Sequence, residues 1–251
     1  MGKFDSTKTR VIPLMEYLGK STEKLNRLFS LLDTNKIKKI DEDDSVIHIN
    51  FGSNEIKLCP KQELLEWYVK NYDKLTKVEN YGSSNKETQE NRKAILEGSK
   101  EKIEEALKLI KENPTAQKQW YIFEGYTQPD IYIETSKSIY IGEAKRTEGE
   151  LTTSTVWLDP RDQIIRHADS VIDKSKNVYY FFLIDEEKEN IYELDRYGTN
   201  YQYYENSLPH RVNNKNDIQK LMAAYCGYTT WQKISSEFGI NFPDTVNDIE
   251  K

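Results

Sequence analysis

The chain has few of the residues that build covalent or histidine-rich scaffolds. Its 251 residues include two cysteines, Cys59 and Cys226, and three histidines. Two thiols so far apart make no disulfide framework and imply a reducing, cytoplasmic setting. No other histidine lies at ligand spacing from His167, so no local histidine metal site is expected. Long hydrophobic runs are also missing. No window approaches the ~18 uninterrupted apolar residues of a spanning helix, which excludes an integral helical membrane protein. The polar start MGKFDSTKTR lacks the apolar stretch of a secretory signal. Met1 to Ser6 does fit the permissive template for N-terminal myristoylation, but nothing downstream supplies a second membrane signal, so no membrane partner is expected.

Charge and aromatic residues are abundant. Charged residues make up 31% and aromatics 12%, with 17 tyrosines, too much adhesive surface for a chain that never folds. At roughly 150 residues per domain this is one decorated domain or two small ones. The formal net charge of -6 excludes a uniformly basic nucleic-acid coat. The charge is unevenly spread, however. Residues 1–39 carry nine Lys and Arg against four Asp and Glu, and residues 206–235 carry four against one. The acids gather instead at Asp41 to Asp44 and at Glu186 to Asp195.

Apolar spacings of three, four and seven predict an amphipathic helix over 14–33. Alternation then predicts a β-hairpin of 46–51 and 56–58 around Gly52-Ser53-Asn54, and a helix over 64–75. Tyr81 to Lys86 has linker composition, which divides the chain into an N-terminal α+β region, 1–80, and a core with a C-terminal helical extension, 87–251. In that core the pattern predicts a helix over 87–111, strands at 120–123, 131–135 and 139–144, and a helix over 159–172 opened by Asp159-Pro160. The apolar run VYYFFLI (178–184) predicts a strand buried on both faces. An edge strand at 191–194 and helices at 217–225 and 230–238 complete the pattern. The last two, separated by a turn at Gly227, are either plain C-terminal packing or a helix-turn-helix.

Chemistry concentrates in Pro129-Asp130 and Gly142-Glu143-Ala144-Lys145. If Ser136-Lys137 is a two-residue hairpin loop, Asp130 falls opposite Glu143, and Lys145 projects from the same face two residues on. Facing carboxylates repel, a conflict that a divalent cation would remove. Hard oxygen ligands, with the Ala144 carbonyl as a third, suit Mg²⁺ or Mn²⁺. Glu-Xaa-Lys also occurs at Glu55-Ile56-Lys57 and Glu186-Glu187-Lys188. Only at Glu143 does it combine with a strand, a facing Asp and a Pro-Asp lead-in; in the expected Glu55 hairpin the facing residue is Asn50.

These residues and this element order resemble the PD-(D/E)xK nuclease superfamily, the restriction-endonuclease-like fold, whose core runs helix, three strands, helix, strand. The resemblance spans about 87–185. It implies an α/β fold with a mixed central β-sheet flanked by helices, Asp130 and Glu143 as metal-binding acids, and Lys145 as catalytic lysine. Family members often add a carboxylate from the first helix or strand, for which Glu90, Glu97 and Glu124 are the candidates. One branch carries Gln and Tyr four residues apart on the helix after the lysine strand; here Gln163 stands in the first place and His167 in the second. Gln163, Arg146 and Arg166 are candidates for supporting the site or contacting phosphate, and the hydroxyl-rich loop 146–157 for ordering on substrate. The expected function is a Mg²⁺-dependent DNA nuclease resembling type II restriction endonucleases and acting as a homodimer. The alternatives are a repair or recombination nuclease acting on ends or branched DNA, and a nucleic-acid-binding module of the same fold that does not cleave.

Overall fold

The computed structural model describes residues 4–32, 36–172 and 175–249; Met1 to Lys3 of the myristoylation template lie outside them. The described chain is α/β. A five-stranded mixed sheet holds β1 (Val46–Phe51), β2 (Ile131–Thr135), β3 (Ser138–Ala144), β4 (Asn177–Ile184) and β5 (Tyr225–Thr230), in that spatial order. Strand β2 pairs antiparallel with both β1 and β3, and β4 and β5 continue parallel to β3. The helices are α1 (Ile12–Leu18), α2 (Thr22–Phe29), α3 (Gln62–Lys70), α4 (Lys86–Leu96), α5 (Lys100–Glu112), α6 (Gln163–Asp169), α7 (Arg196–Thr199), α8 (Tyr201–Ser207), α9 (Lys215–Ala223) and α10 (Trp231–Phe238).

Strand alternation sorts the core. Ile139, Ile141, Tyr180, Phe182 and Ile184 face α6, α8 and α9. Tyr140, Ala144, Phe181 and Leu183 face the cluster of α1, α2 and α10. With both faces covered, β3 is buried along its whole length. Each fully buried side chain here, Phe181 for example, contributes about 1.5–3 kcal/mol relative to exposure. A third cluster joins α3, α4 and α5 to Tyr121, Ile122, Phe123 and Trp157.

The β2–β3 hairpin has the expected register: Ile131 pairs with Gly142 and Glu134 with Ile139, leaving Ser136-Lys137 as the loop. Several other elements differ from expectation. The 14–33 helix is two helices, because Gly19 takes φ +52 and Ser21 caps α2 through the Lys24 amide. The 87–111 helix divides the same way at Gly98, φ +82, with Ser99 capping α5. Strand β1 does not fold back on 56–58 but joins β2 as the sheet edge. The sheet therefore crosses the Tyr81–Lys86 segment that composition marked as a boundary. Residues 120–123 form no strand, since Tyr121, Ile122 and Phe123 are all buried in the third cluster instead of alternating. The 159–172 helix starts at Gln163, capped by Asp162 instead of Asp159. Residues 191–194 are turns, and 225–230 is strand β5, so no helix-turn-helix forms. Within 87–185 the order is therefore α4, α5, β2, β3, α6 and β4, two strands before α6 where three were expected, and the third antiparallel strand, β1, comes from before the expected boundary.

Candidate active site

Continuing the β2–β3 register by one pair sets Asp130 opposite Glu143. Side chains 130 and 132 share a face with 139, 141, 143 and 145, so the acids and the lysine extend the apolar row that packs under α6. Asp130 Oδ2 accepts the Ala144 amide at 2.8 Å. The Lys145 amide donates to Leu183 on β4, which turns the Ala144 peptide groups the other way, toward Asp130. Lys145 Nζ lies 2.9 Å from Glu143 Oε1 and donates to Gln163 Oε1 at 3.3 Å. His167 Nε2 lies 3.2 Å from Glu143 Oε2, while its Nδ1 is 2.8 Å from the Thr127 hydroxyl. An ionised carboxylate only accepts, so Nε2 carries the hydrogen shared with Glu143.

Gln163 and His167 are one turn apart on α6 and therefore share its face. One helix thus steadies both the lysine and the acid. Glu143 and His167 are buried, at 2% and 0% exposure. His167 therefore lies inside, against the acid; the four-residue spacing from Gln163 is the sequence signal that places both on one helix face.

The two carboxylates are held differently. Burial alone would raise Glu143, but Lys145 and His167 outweigh it and hold the carboxyl below its usual range. Asp130 is pushed well above its usual range by burial and by Glu143, and the Ala144 amide and Lys145 only partly offset this. Burial disfavours the Lys145 ammonium, yet Glu143 and Asp130 raise it overall, so it stays charged.

None of the three candidate additional acids joins the cluster. Glu90 is exposed on α4, and Glu97 is exposed beside Lys93, 3.8 Å away. Glu124 is buried under Arg161, Arg166 and Tyr68. Glu55 comes closer in register. The turn Gly52–Asn54 shifts the chain so that Leu58 bridges Thr127, and three residues back Glu55 draws level with Asp130. Burial and Glu143 raise its carboxyl. The sequence set Glu55 aside because the hairpin expected there was wrong. Arg146 turns from the pocket to the Thr9 hydroxyl at 3.1 Å and to Asp185 at 3.8 Å. Arg166 Nε contacts Glu124 at 3.3 Å.

Among the described residues, no group of three or more His, Cys, Asp and Glu side chains is placed to hold a metal ion. Asp130, Glu143 and the Ala144 carbonyl are the groups that could hold a Mg²⁺-type ion, which takes one or two carboxylates and fills its remaining positions from water and substrate. The charge conflict at Asp130 is what such an ion would relieve. Among the described residues no helix is long and apolar enough to cross a membrane. Against protein-family models, curated proteins and solved structures the chain has no match.

Proposed function

We propose that the chain is a Mg²⁺-dependent DNA nuclease of restriction-endonuclease-like fold, hydrolysing phosphodiester bonds at Asp130, Glu143 and Lys145. The observation that carries this reading is the convergence of two carboxylates, one ionically unsatisfied, with a charged lysine on one sheet face. The order of three antiparallel strands followed by parallel β4 supports it.

Asp130, Glu143 and the Ala144 carbonyl would hold the ion, with Mn²⁺ able to substitute. When bound, the ion supplies Lewis-acid stabilisation of the phosphate and lowers the pKa of water. The remaining work falls to the chain. Lys145, fixed by Glu143 and Gln163, sets its ammonium against a non-bridging phosphate oxygen where negative charge grows. His167 keeps Glu143 from rotating, and the α6 layer excludes bulk water from beneath the acids. Cutting both strands of a duplex with one such site per chain favours a homodimer, which sedimentation would detect.

The test is incubation with plasmid, linear and single-stranded DNA in Mg²⁺, Mn²⁺ or EDTA, beside Asp130→Ala and Lys145→Ala checked for folding by circular dichroism. Metal-dependent cutting that falls by at least about 100-fold in both variants is expected. Discrete plasmid fragments would mark a restriction-like enzyme, and progressive loss from linear ends a repair-type one. DNA bound but never cut, or cut equally by the variants, would leave a binding module.

A further inference from the structure

Beside the acids lies a second feature, a cleft of about 740 Å³ whose wall includes Arg92 of α4, Lys118, Glu124, Val156 and Arg166 of α6. Its positive charge is not balanced. Arg92 is 7% exposed and donates to the backbone carbonyls of Tyr81, Gly82, Trp120 and Ile122. Those dipoles satisfy its hydrogens without cancelling its charge, and among the described residues no carboxylate lies within ion-pair distance of it. Buried charges are ordinarily paired. Arg166 shares the one carboxylate in the wall, Glu124, with Arg161, which already binds both its oxygens at 3.1 Å. Lys118 is exposed at the rim with no ion-pair partner among the described residues. Its φ of +60 is a left-handed conformation that a side-chain-bearing residue rarely adopts. Strain of this kind gathers at ligand sites.

The cleft shares its wall with the candidate active site. Glu124, Gly125 and Tyr126 run directly into Thr127, which holds His167, and Arg166 is the neighbour of His167. The loop that leaves Lys145 returns to the cleft at Ser154 to Trp157, tied to α6 where the Gln163 amide donates to the Thr152 carbonyl at 2.9 Å.

We propose that this cleft seats backbone phosphates of the DNA strand flanking the bond to be cut, an assignment that rests on the nuclease reading of the neighbouring acids. Arg92 and Arg166 supply the fixed positive field, and Lys118 makes the direct, exchangeable contact. The binding is sequence-independent, because phosphate contacts position a duplex without reading it.

Fluorescence anisotropy with a labelled duplex in EDTA, over a series of salt concentrations, tests this separately from cutting. Lys118→Gln should weaken binding and lower the slope of log affinity against log salt by about 0.9, the share of one phosphate contact. Lys118→Gly accepts the left-handed backbone, so it should fold at least as well as the parent and still lose the same affinity. Lys118→Arg should retain it, and Val156→Asp, at a 61% exposed rim position, should weaken binding by repulsion. If folded Lys118→Gln and Lys118→Gly bind DNA with the parent's affinity and salt slope, or the parent binds no DNA, the proposal is overturned. A parent that binds through Lys118 but never cuts with Mg²⁺ would retain the phosphate cleft and discard the nuclease; one that cuts with Lys118 irrelevant would do the reverse.

Discussion

Two groups of carboxylates pack near α6, and the protein treats them in opposite ways. In the first, Glu124 accepts from Arg161, Arg166 and Tyr68, and Asp169 from Arg161 and Arg211. Burial alone would raise both, but the cations outweigh it: Arg161 and Arg166 hold Glu124 below its usual range, and His210, Arg161 and Arg211 hold Asp169 well below it. In the second, Asp130 has one amide and faces Glu143, and it is displaced upward. The first arrangement has answered each charge within the chain. The second leaves one charge unanswered, which is the expected mark of a site awaiting a cation or substrate. Desolvation pushes the acids of both groups upward and identifies neither; the difference lies in how many charged partners face each carboxylate.

The strongest way to break that contrast is to remove a member of the answered group. Asp169→Ala leaves Arg161 and Arg211 buried without their shared partner, and truncating one side of a buried pair costs about 3–5 kcal/mol. A urea midpoint shifted by the corresponding amount, at unchanged slope, is the expected result. Because the Asp169 carboxyl is depressed in the folded protein, its contribution is fully present above the ordinary aspartate pKa and disappears as pH falls through and below that range. The penalty of Asp169→Ala should therefore shrink in acid. A variant as stable as the parent at neutral pH would mean that the network stabilises nothing.

The histidine of α6 that holds Glu143 gives the next largest effect. His167→Ala strands Glu143 Oε2 and the Thr127 hydroxyl in a buried setting, a loss of about 1–3 kcal/mol. His167→Gln can return part of this by reaching one of the two partners. If His167 belongs to the unanswered group as its positioning residue, DNA cutting in Mg²⁺ should fall with alanine and recover in part with glutamine. Equal stability and activity in all three proteins would detach His167 from the site.

The same contrast explains what could be read in advance. The β2–β3 hairpin and its acids were legible because a two-residue loop and period-2 alternation fix register locally, and Asp130, Glu143 and Lys145 fall within one such unit. The apolar run of β4 was legible because a strand buried on both faces needs no alternation. Strand β1 was legible as a strand but not by its partner, since its mate lies 80 residues on and no local feature encodes a long-range pairing. Glu55 was lost with that pairing. β5 escaped notice because YCGYTT looks like turn chemistry, and only β4 beside it makes it a strand. The answered network was opaque for a related reason. Glu124, Asp169 and Arg211 come from three separate segments, and in a chain this rich in charge nothing local marks which ones will be buried together.

The smallest effect is the most discriminating. Asp130→Asn preserves the shape and the acceptor for the Ala144 amide but removes the charge that opposes Glu143. A carboxyl raised in the folded state contributes most at low pH and loses that contribution as pH rises through its displaced value, so above the ordinary aspartate range Asp130 works against folding. The variant should therefore be more stable than the parent near pH 7, by about 1 kcal/mol, with the gap closing as pH falls below the ordinary aspartate range. Mg²⁺ should raise the melting temperature of the parent and leave Asp130→Asn unmoved, since the ion relieves a conflict that the substitution has already removed. The equivalent change in the answered group, Asp169→Asn, should destabilise. If both substitutions shift stability in the same direction, the division between an answered and an unanswered carboxylate is wrong, and Asp130 loses its claim to be a functional group.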